Sequence, residues 1–307
     1  MGSLLQIQLN ILVWIRNNSM LKGHITAFLT ILIWGTTFVS TKVLLVDFSP
    51  LEILLYRFVI GLIALFIAYP HRLKGTTVKQ ELMFAAAGLT GVTMYYLSEN
   101  IALTYSTASN VGVITSTAPF FVAILAHLFL KGESLKVSFL IGFIISIIGI
   151  AMISFNGQFF FELNPVGDML ALFSAFVWGF YSVFARKISH WGYNTIQTTR
   201  RIFIYGILFM LPTLFFIPFE FGFERFTNFT NLFNMLFLAF GASALCFVTW
   251  NYSVKIIGAV KTSVYIYMVP VITVVLSAIV LDEKINALLV LGILLTLTGL
   301  LISERRK

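Results

Sequence analysis

The chain has 307 residues, of which 59% are hydrophobic and 10% charged, with a formal net charge of +8 and a mean hydropathy of +0.96. Ordinary soluble domains carry about 25% charged residues, so this composition excludes a soluble enzyme, a disordered protein and a nucleic-acid-binding module. The single cysteine, Cys246, excludes an intrachain disulfide and a cysteine-based zinc site.

A helix needs about 20 apolar residues to cross about 30 Å of hydrocarbon. Runs of that kind, punctuated by charged residues or by Pro, Gly and Asn, predict an all-α integral membrane protein. Its ten transmembrane helices lie near 23–45, 51–70, 79–98, 104–130, 135–154, 167–187, 197–219, 232–252, 262–281 and 286–303. Ahead of them, Leu4 to Ile15 is apolar but too short to span, and no small-residue cleavage site follows it. Residues 1–19 therefore read as an extension upstream of a start at Met20, or as an interfacial helix lying on the membrane. The connections are short and leave no room for a separate soluble domain.

Lys and Arg are counted by loop to orient the chain. Sixteen fall on one side, three (Lys42, Arg225 and Lys284) on the other, and Arg57 lies inside a span. That bias places both termini in the cytoplasm.

The chain repeats itself. Gly23, Ala27, Trp34, Gly35 and Lys42 recur as Gly167, Ala171, Trp178, Gly179 and Arg186. Asn100, Ala108 and Pro119 recur as Asn251, Ala259 and Pro270, and Glu133, Gly142 and Gly149 as Glu283, Gly292 and Gly299. Residues 20–157 hold spans one to five and residues 158–307 hold spans six to ten. Because five is odd, the second half enters the membrane upside down. Two inverted five-helix repeats of this kind characterise secondary transporters.

The residues that carry the repeat also carry a resemblance. Leu32-Ile33-Trp34-Gly35-Thr36-Thr37-Phe38 resembles the opening helix of the drug/metabolite transporter superfamily, EamA type. Ala102 to Asn110 with Thr117-Ala118-Pro119 is similar to its fourth-helix motif. Gly258 to Thr262, Pro270 and Asp282-Glu283 resemble the counterpart in the second half. The resemblance covers residues 20–303. It implies ten helices in two inverted repeats and transport of small organic solutes, with export the favoured direction.

Several residues suit such a task. Arg57, and Glu99 at the outer end of the third span, are intramembrane charges, costly unless paired, and they could pair with each other. Trp34 and Trp178 lie mid-span, too deep for the interfacial aromatic belt, and could wall a midplane cavity. Thr37, Tyr95, Tyr181, Trp250 and Tyr265 could complete it. Asn110, Ile114, Thr117 and Phe121 share one helical face and offer an amide, a hydroxyl and an aromatic ring. Pro119 and Pro270, one in each half, can kink their helices and act as hinges. Each of these residues also has a structural reading, as aromatic core, as repair of a proline defect or as close helix packing.

No glycine-rich phosphate loop, H-E-x-x-H or G-x-S-x-G element is present, so neither direct ATP energisation nor common hydrolase chemistry is expected. The sequence reads as a carrier rather than an enzyme. It is expected to move amino acids or related amphipathic metabolites outward across a bacterial plasma membrane by alternating access. An importer of a nucleotide- or vitamin-type metabolite is the alternative, and a membrane-embedded enzyme or a channel fits less well. No cofactor, metal, nucleic acid or obligate protein partner is expected; the partners are a small-molecule substrate and the bilayer.

Overall fold

The computed structural model describes residues 2–131, 137–155, 165–217, 219–282 and 287–304, and every regular element among them is helical. Glu133, Lys136, Glu283, Lys284 and residues 305–307 lie outside the described residues, as does the expected boundary between the halves at 157/158.

Helix α1 (Gly2–Leu44) is continuous, so residues 2–19 belong to the same helix as the first predicted span. The chain turns into α2 (Pro50–Ala68) through a capping box: Ser49 Oγ accepts from the backbone N–H of Glu52, and Glu52 Oε2 accepts from that of Ser49. Thr77 and Gln80 build the same box before α3 (Val78–Gly88). Helix α3 widens into a six-residue π-helical segment, Leu89–Met94, and continues as α4 (Tyr95–Tyr105). The third predicted span was bounded at residue 98; the helix runs to Tyr105, because the chain turns only at Ser106, in extended conformation, and at the helix cap Thr107.

The fourth rod is interrupted. Helix α5 (Ala108–Thr115) ends in a turn at Ser116–Thr117, and α6 (Ala118–Phe129) starts anew with Pro119 in its first turn, where the missing N–H costs no hydrogen bond. Helices α7 (Val137–Phe155), α8 (Pro165–Ser189) and α9 (Thr195–Met210) follow, the last running into a 3₁₀ turn at Leu211–Phe215. Helix α10 (Phe229–Leu236) passes through a nine-residue π segment, Phe237–Leu245, into α11 (Cys246–Ile257). Gly258, at φ +92°, ends α11 in a conformation that a side chain would strain. Helix α12 (Ala259–Val264), a 3₁₀ segment (Tyr265–Met268) and α13 (Val269–Val280), with Pro270 in its first turn, form a second interrupted rod before α14 (Ala287–Glu304).

Among the described residues, six stretches are long and apolar enough to cross a bilayer: Asn18–Leu44, Pro50–Ala68, Ala108–Phe129, Pro165–Ser189, Phe229–Ile257 and Ala259–Val280. Helices α7 and α14 carry shorter apolar runs and pack directly on each other. Large apolar residues stand on the outside of the bundle, among them Ile63, Ile67, Ile144, Ile148 and Leu294. That surface suits acyl chains, and the chain is a multi-pass membrane protein.

Lipid tails are as apolar as Leu, so helices in a bilayer associate through close packing and interhelical hydrogen bonds rather than a hydrophobic drive. The first helix of each half packs into the other half: α1 lies against α11 and α13, and α8 against α4 and α6. Both crossings depend on the glycine that follows a tryptophan. A Cβ on Gly35 would stand 2.6 Å from Ile272 Cβ in α13, and one on Gly179 3.0 Å from Phe121 Cβ in α6. Hydroxyls reinforce the first crossing, with Thr26 to Ser253 at 2.8 Å, Thr30 to Thr249 at 2.6 Å and Thr273 Oγ1 donating to Gly35 O at 2.8 Å. Bonds of this kind contribute about 0.6–2 kcal/mol each.

Ties at the two ends of α2 hold the halves together. At its start, buried Glu52 accepts from Arg225, 3.0 Å away, and from the Glu220 backbone N–H at 2.7 Å. The Glu52 carboxylate raises the Arg225 pKa, and the guanidinium also lies 4.4 Å from the Phe48 ring. Past the other end, Arg200 donates to the carbonyls of Tyr69 and His71, while Arg201 and the Tyr205 hydroxyl engage Glu81.

Candidate functional site

Side chains of α1 and α8 that face each other build a cavity. Successive turns of α1 contribute Ile31, Trp34, Thr37 and Phe38 to one wall. Trp178 enters from α8, and Tyr95, Tyr96 and Glu99 from α4 just beyond the π segment. The remaining wall is made where both interrupted rods break: Thr115 and Ala118 flank the gap between α5 and α6, Ile266 lies in the 3₁₀ segment before α13, and Val269 opens α13. Residues of both halves therefore meet around one space.

That space is narrow, with about 30 Å³ of room for water. Ligand sites run to about 300–1,000 Å³, so admitting a solute requires the walls to part.

Aromatic rings dominate the lining. Trp34 and Trp178 meet edge to face with ring centres 5.3 Å apart, and Tyr95 lies 4.8 Å from Trp178. Trp34 is held by its indole N–H, which donates to Ala242 O at 2.9 Å, a carbonyl of the second π segment. The Trp178 indole N–H has no hydrogen-bond partner. Phe247 sits behind the cavity and joins Trp34, Tyr96, Trp178, Tyr181, Phe58 and Phe203 at centre distances between 5.1 and 6.1 Å.

One carboxylate faces this aromatic box. Glu99 is 1% exposed and stands one turn after Tyr95 on the same helix. The expected Arg57–Glu99 ion pair is not formed, although the two charges are within electrostatic range. Arg57 is fully buried but does not line the cavity. Its Nε donates to Ser243 Oγ at 3.0 Å, and the guanidinium rests 4.5 Å from the Tyr96 ring centre, so Tyr96 takes the place expected of Glu99. Both terminal guanidinium nitrogens lack hydrogen-bond partners.

Of the residues predicted to bind substrate, Trp34, Thr37, Tyr95, Glu99 and Trp178 line the cavity. Five do not. Asn110 donates to Ser106 Oγ and, at 2.8 Å, to Asp168 Oδ1 at the start of α8. Thr117 turns its hydroxyl back to Ile114 O. Asn110 sits on the side of regular α5 turned to α8, away from the Thr115 face. The Thr117 reading assumed an unbroken fourth helix; the turn at Ser116–Thr117 shifts the phase, so Ala118 follows Thr115 to the cavity. Tyr181 and Trp250 belong to the layer behind: the Tyr181 hydroxyl donates to Asn251 Oδ1 at 2.7 Å, and Trp250 packs 5.0 Å from Trp34. Tyr265 pairs with His24 Nδ1 at 2.8 Å, leaving the wall to the next residue, Ile266. Thr37 lines the cavity with its hydroxyl already donated to Trp34 O. The prolines lie where their half-helices begin, one residue beyond the lining residues Ala118 and Val269. Among the described residues no group of three or more His, Cys, Asp or Glu could hold a metal ion.

The sequence profile described as the EamA-like transporter family matches the chain twice, over residues 21–155 and 165–304. An uncharacterized transporter from Archaeoglobus fulgidus is 27% identical, covering 93% of this chain and 98% of its own. A probable amino-acid metabolite efflux pump from Escherichia coli is 25% identical, over 92% of this chain and 94% of its own. A solved structure titled only as the crystal structure of a protein superposes with a TM-score of 0.68 at 20% identity, covering 92% of this chain and 97% of that one, and shows the shared fold.

Proposed function

The chain belongs to the EamA-like transporter family, and from that premise we propose that it is a secondary carrier that exports amino acids or related amphipathic metabolites across the plasma membrane by alternating access. The observation that carries the reading is the cavity itself. It is narrow, aromatic, furnished with one carboxylate, and walled by Trp34 from one half and Trp178 from the other. A carrier must bind at a place that both halves share, since their relative movement decides which side opens. The Escherichia coli relative, described as a probable amino-acid metabolite efflux pump, supports the substrate class and the direction.

In this reading ten crossings form two inverted repeats with both termini in the cytoplasm. The double match of the family profile supports it, as do paired irregularities: a π segment in the third rod and another in the eighth, and breaks before Pro119 and Pro270. Lys42 and Arg186 are further related features, each donating to carbonyls near the C-terminal end of a neighbouring rod, at Leu103 and Ser106 and at Val254 and Lys255. The two breaks border the cavity, so a change of angle there widens or closes it. The reading calls for no cofactor, no nucleic acid and no obligate protein partner.

The test is flux in liposomes reconstituted with the full chain and supplied with labelled phenylalanine and a panel of aromatic and aliphatic amino acids. A carrier gives saturable flux that unlabelled solute on the opposite side accelerates. Flux linear in concentration and indifferent to the opposite side would mean a channel, and product without net movement an enzyme.

A further inference from the structure

We infer that Glu99, with Tyr95 beside it and the rings of Trp34, Trp178 and Tyr96 around it, forms a subsite for an organic ammonium group. This deepens the proposed function and rests on it: it names the part of the solute that the cavity recognises.

Glu99 is 1% exposed inside a membrane bundle, where an anion is costly unless it is paired or amply hydrogen-bonded. It forms no salt bridge among the described residues, and Tyr95 stands one turn before it on α4. Arg57, the nearby cation, bonds Ser243 and stacks on Tyr96 outside the lining, so the cavity side of Glu99 is open to a ligand.

The walls then select the ligand. Aromatic faces attract cations within about 6 Å of the ring centre, most strongly when water is excluded. Four aromatic residues, Trp34, Tyr95, Tyr96 and Trp178, converge with Glu99 on one narrow space. A neutral aromatic solute satisfies the rings and leaves the carboxylate without a counter-charge. A carboxylate-only solute meets like charge. An ammonium satisfies both elements at once, and its apolar remainder lies against Ile31, Phe38, Ile266 and Val269.

The probes are phenethylamine and 2-phenylethanol, which share a ring and a chain length and differ in ammonium against hydroxyl. Binding to the purified full chain is read by tryptophan fluorescence and by thermal stabilisation, since a ligand of the folded state raises its stability. Phenethylamine is expected to bind saturably and at least about 10-fold more tightly than the alcohol, as one charge-assisted hydrogen bond implies. Glu99→Gln, nearly isosteric, abolishes that preference, and Glu99→Asp retains part of it. Equal binding of amine and alcohol by the unaltered protein overturns the inference without any variant, as does a preference that survives Glu99→Gln, or binding of neither probe. The reading of the protein as a carrier fails separately, through absence of saturable, trans-accelerated amino-acid flux. Such flux combined with indifference to the ammonium would leave a carrier that lacks this subsite.

Discussion

Gly91 lies in the first π segment, and its replacement by alanine tests whether that segment sets the cavity. A Cβ there would stand 2.1 Å from Tyr181 Cδ2 and 2.4 Å from Cγ. Restoring the 3.4 Å of ordinary contact takes a retreat of about 1.3 Å. The Tyr181 ring is not free to retreat: its hydroxyl is bonded to Asn251, which in turn donates to Thr199 Oγ1 at 3.0 Å, and its ring lies 4.7 Å from Trp178. Movement toward Trp178 narrows a cavity that is already tight. Movement of the π segment instead breaks the 2.8 Å bond from Thr93 Oγ1 to Gly206 O. Overpacking costs about 1–3 kcal/mol and a lost buried hydrogen bond about 1–3 kcal/mol. Against these stands a gain of about 0.5–1 kcal/mol from removing a helical glycine. With both costs incurred, the net expectation is destabilisation by about 1–5 kcal/mol together with weaker solute binding. Thermal unfolding in detergent measures the first, and tryptophan-fluorescence titration the second. Tyr181→Leu should relieve the clash, so the double variant recovers stability non-additively, by about 0.5–3 kcal/mol. A Gly91→Ala protein as stable as the parent, with strictly additive behaviour alongside Tyr181→Leu, would refute the reasoning.

Three further predictions follow from the same geometry. Arg225→Ala removes charge-assisted bonds to Glu52 and should destabilise the protein by about 1.5–3 kcal/mol; because Glu52 is nearly inaccessible, added salt should not erase the difference in a thermal melt. Pro119→Ala and Pro270→Ala restore an N–H at positions where the helix requires none. Each should change stability by no more than about 1 kcal/mol while slowing turnover several-fold at unchanged KM, and unchanged turnover in liposomes would remove their hinge role. Trp34→Phe keeps the ring stack but loses the bond to Ala242 O, so a loss of about 0.5–1.5 kcal/mol is expected, with a weaker solute-induced change in fluorescence.

What could be read in advance, and what could not, separates along physical lines. Composition and charge punctuation carry the membrane class, because hydrocarbon imposes a minimum apolar length that a sequence displays openly. Trp34 and Trp178 were legible because an indole far from any interface needs a special environment, and Glu99 because a carboxylate there needs one too. Thr117 lies off the cavity for a geometric reason, whereas Asn110, in regular α5, bonds Asp168 and Tyr265 bonds His24. A face assigned by i, i+3, i+4 spacing presumes regular helix, and the fourth and ninth rods change their phase at Ser116–Thr117 and at Tyr265–Met268. Prolines marked those places, yet a proline alone does not say whether a helix bends or restarts.

The π segments explain why the cavity lies where the two halves cross. Widening a helix alters its bonding pattern, and the carbonyls it re-aims become available to neighbours. Ala242 O, in the second segment, receives the Trp34 indole, and the first segment leads directly into Tyr95, Tyr96 and Glu99. Rods of regular α-helix would have rotated those three side chains onto another face. Small residues run through both stretches, Thr90-Gly91-Val92-Thr93 and Gly241-Ala242-Ser243-Ala244, and let Tyr181 and Arg57 press close. The binding chemistry thus depends on two local departures from helical regularity, each stabilised by a side chain of a neighbouring helix. In the proposed alternating-access cycle, a change in the angle between those helices reshapes the site as it opens it, which would make solute release and exposure to one side a single movement.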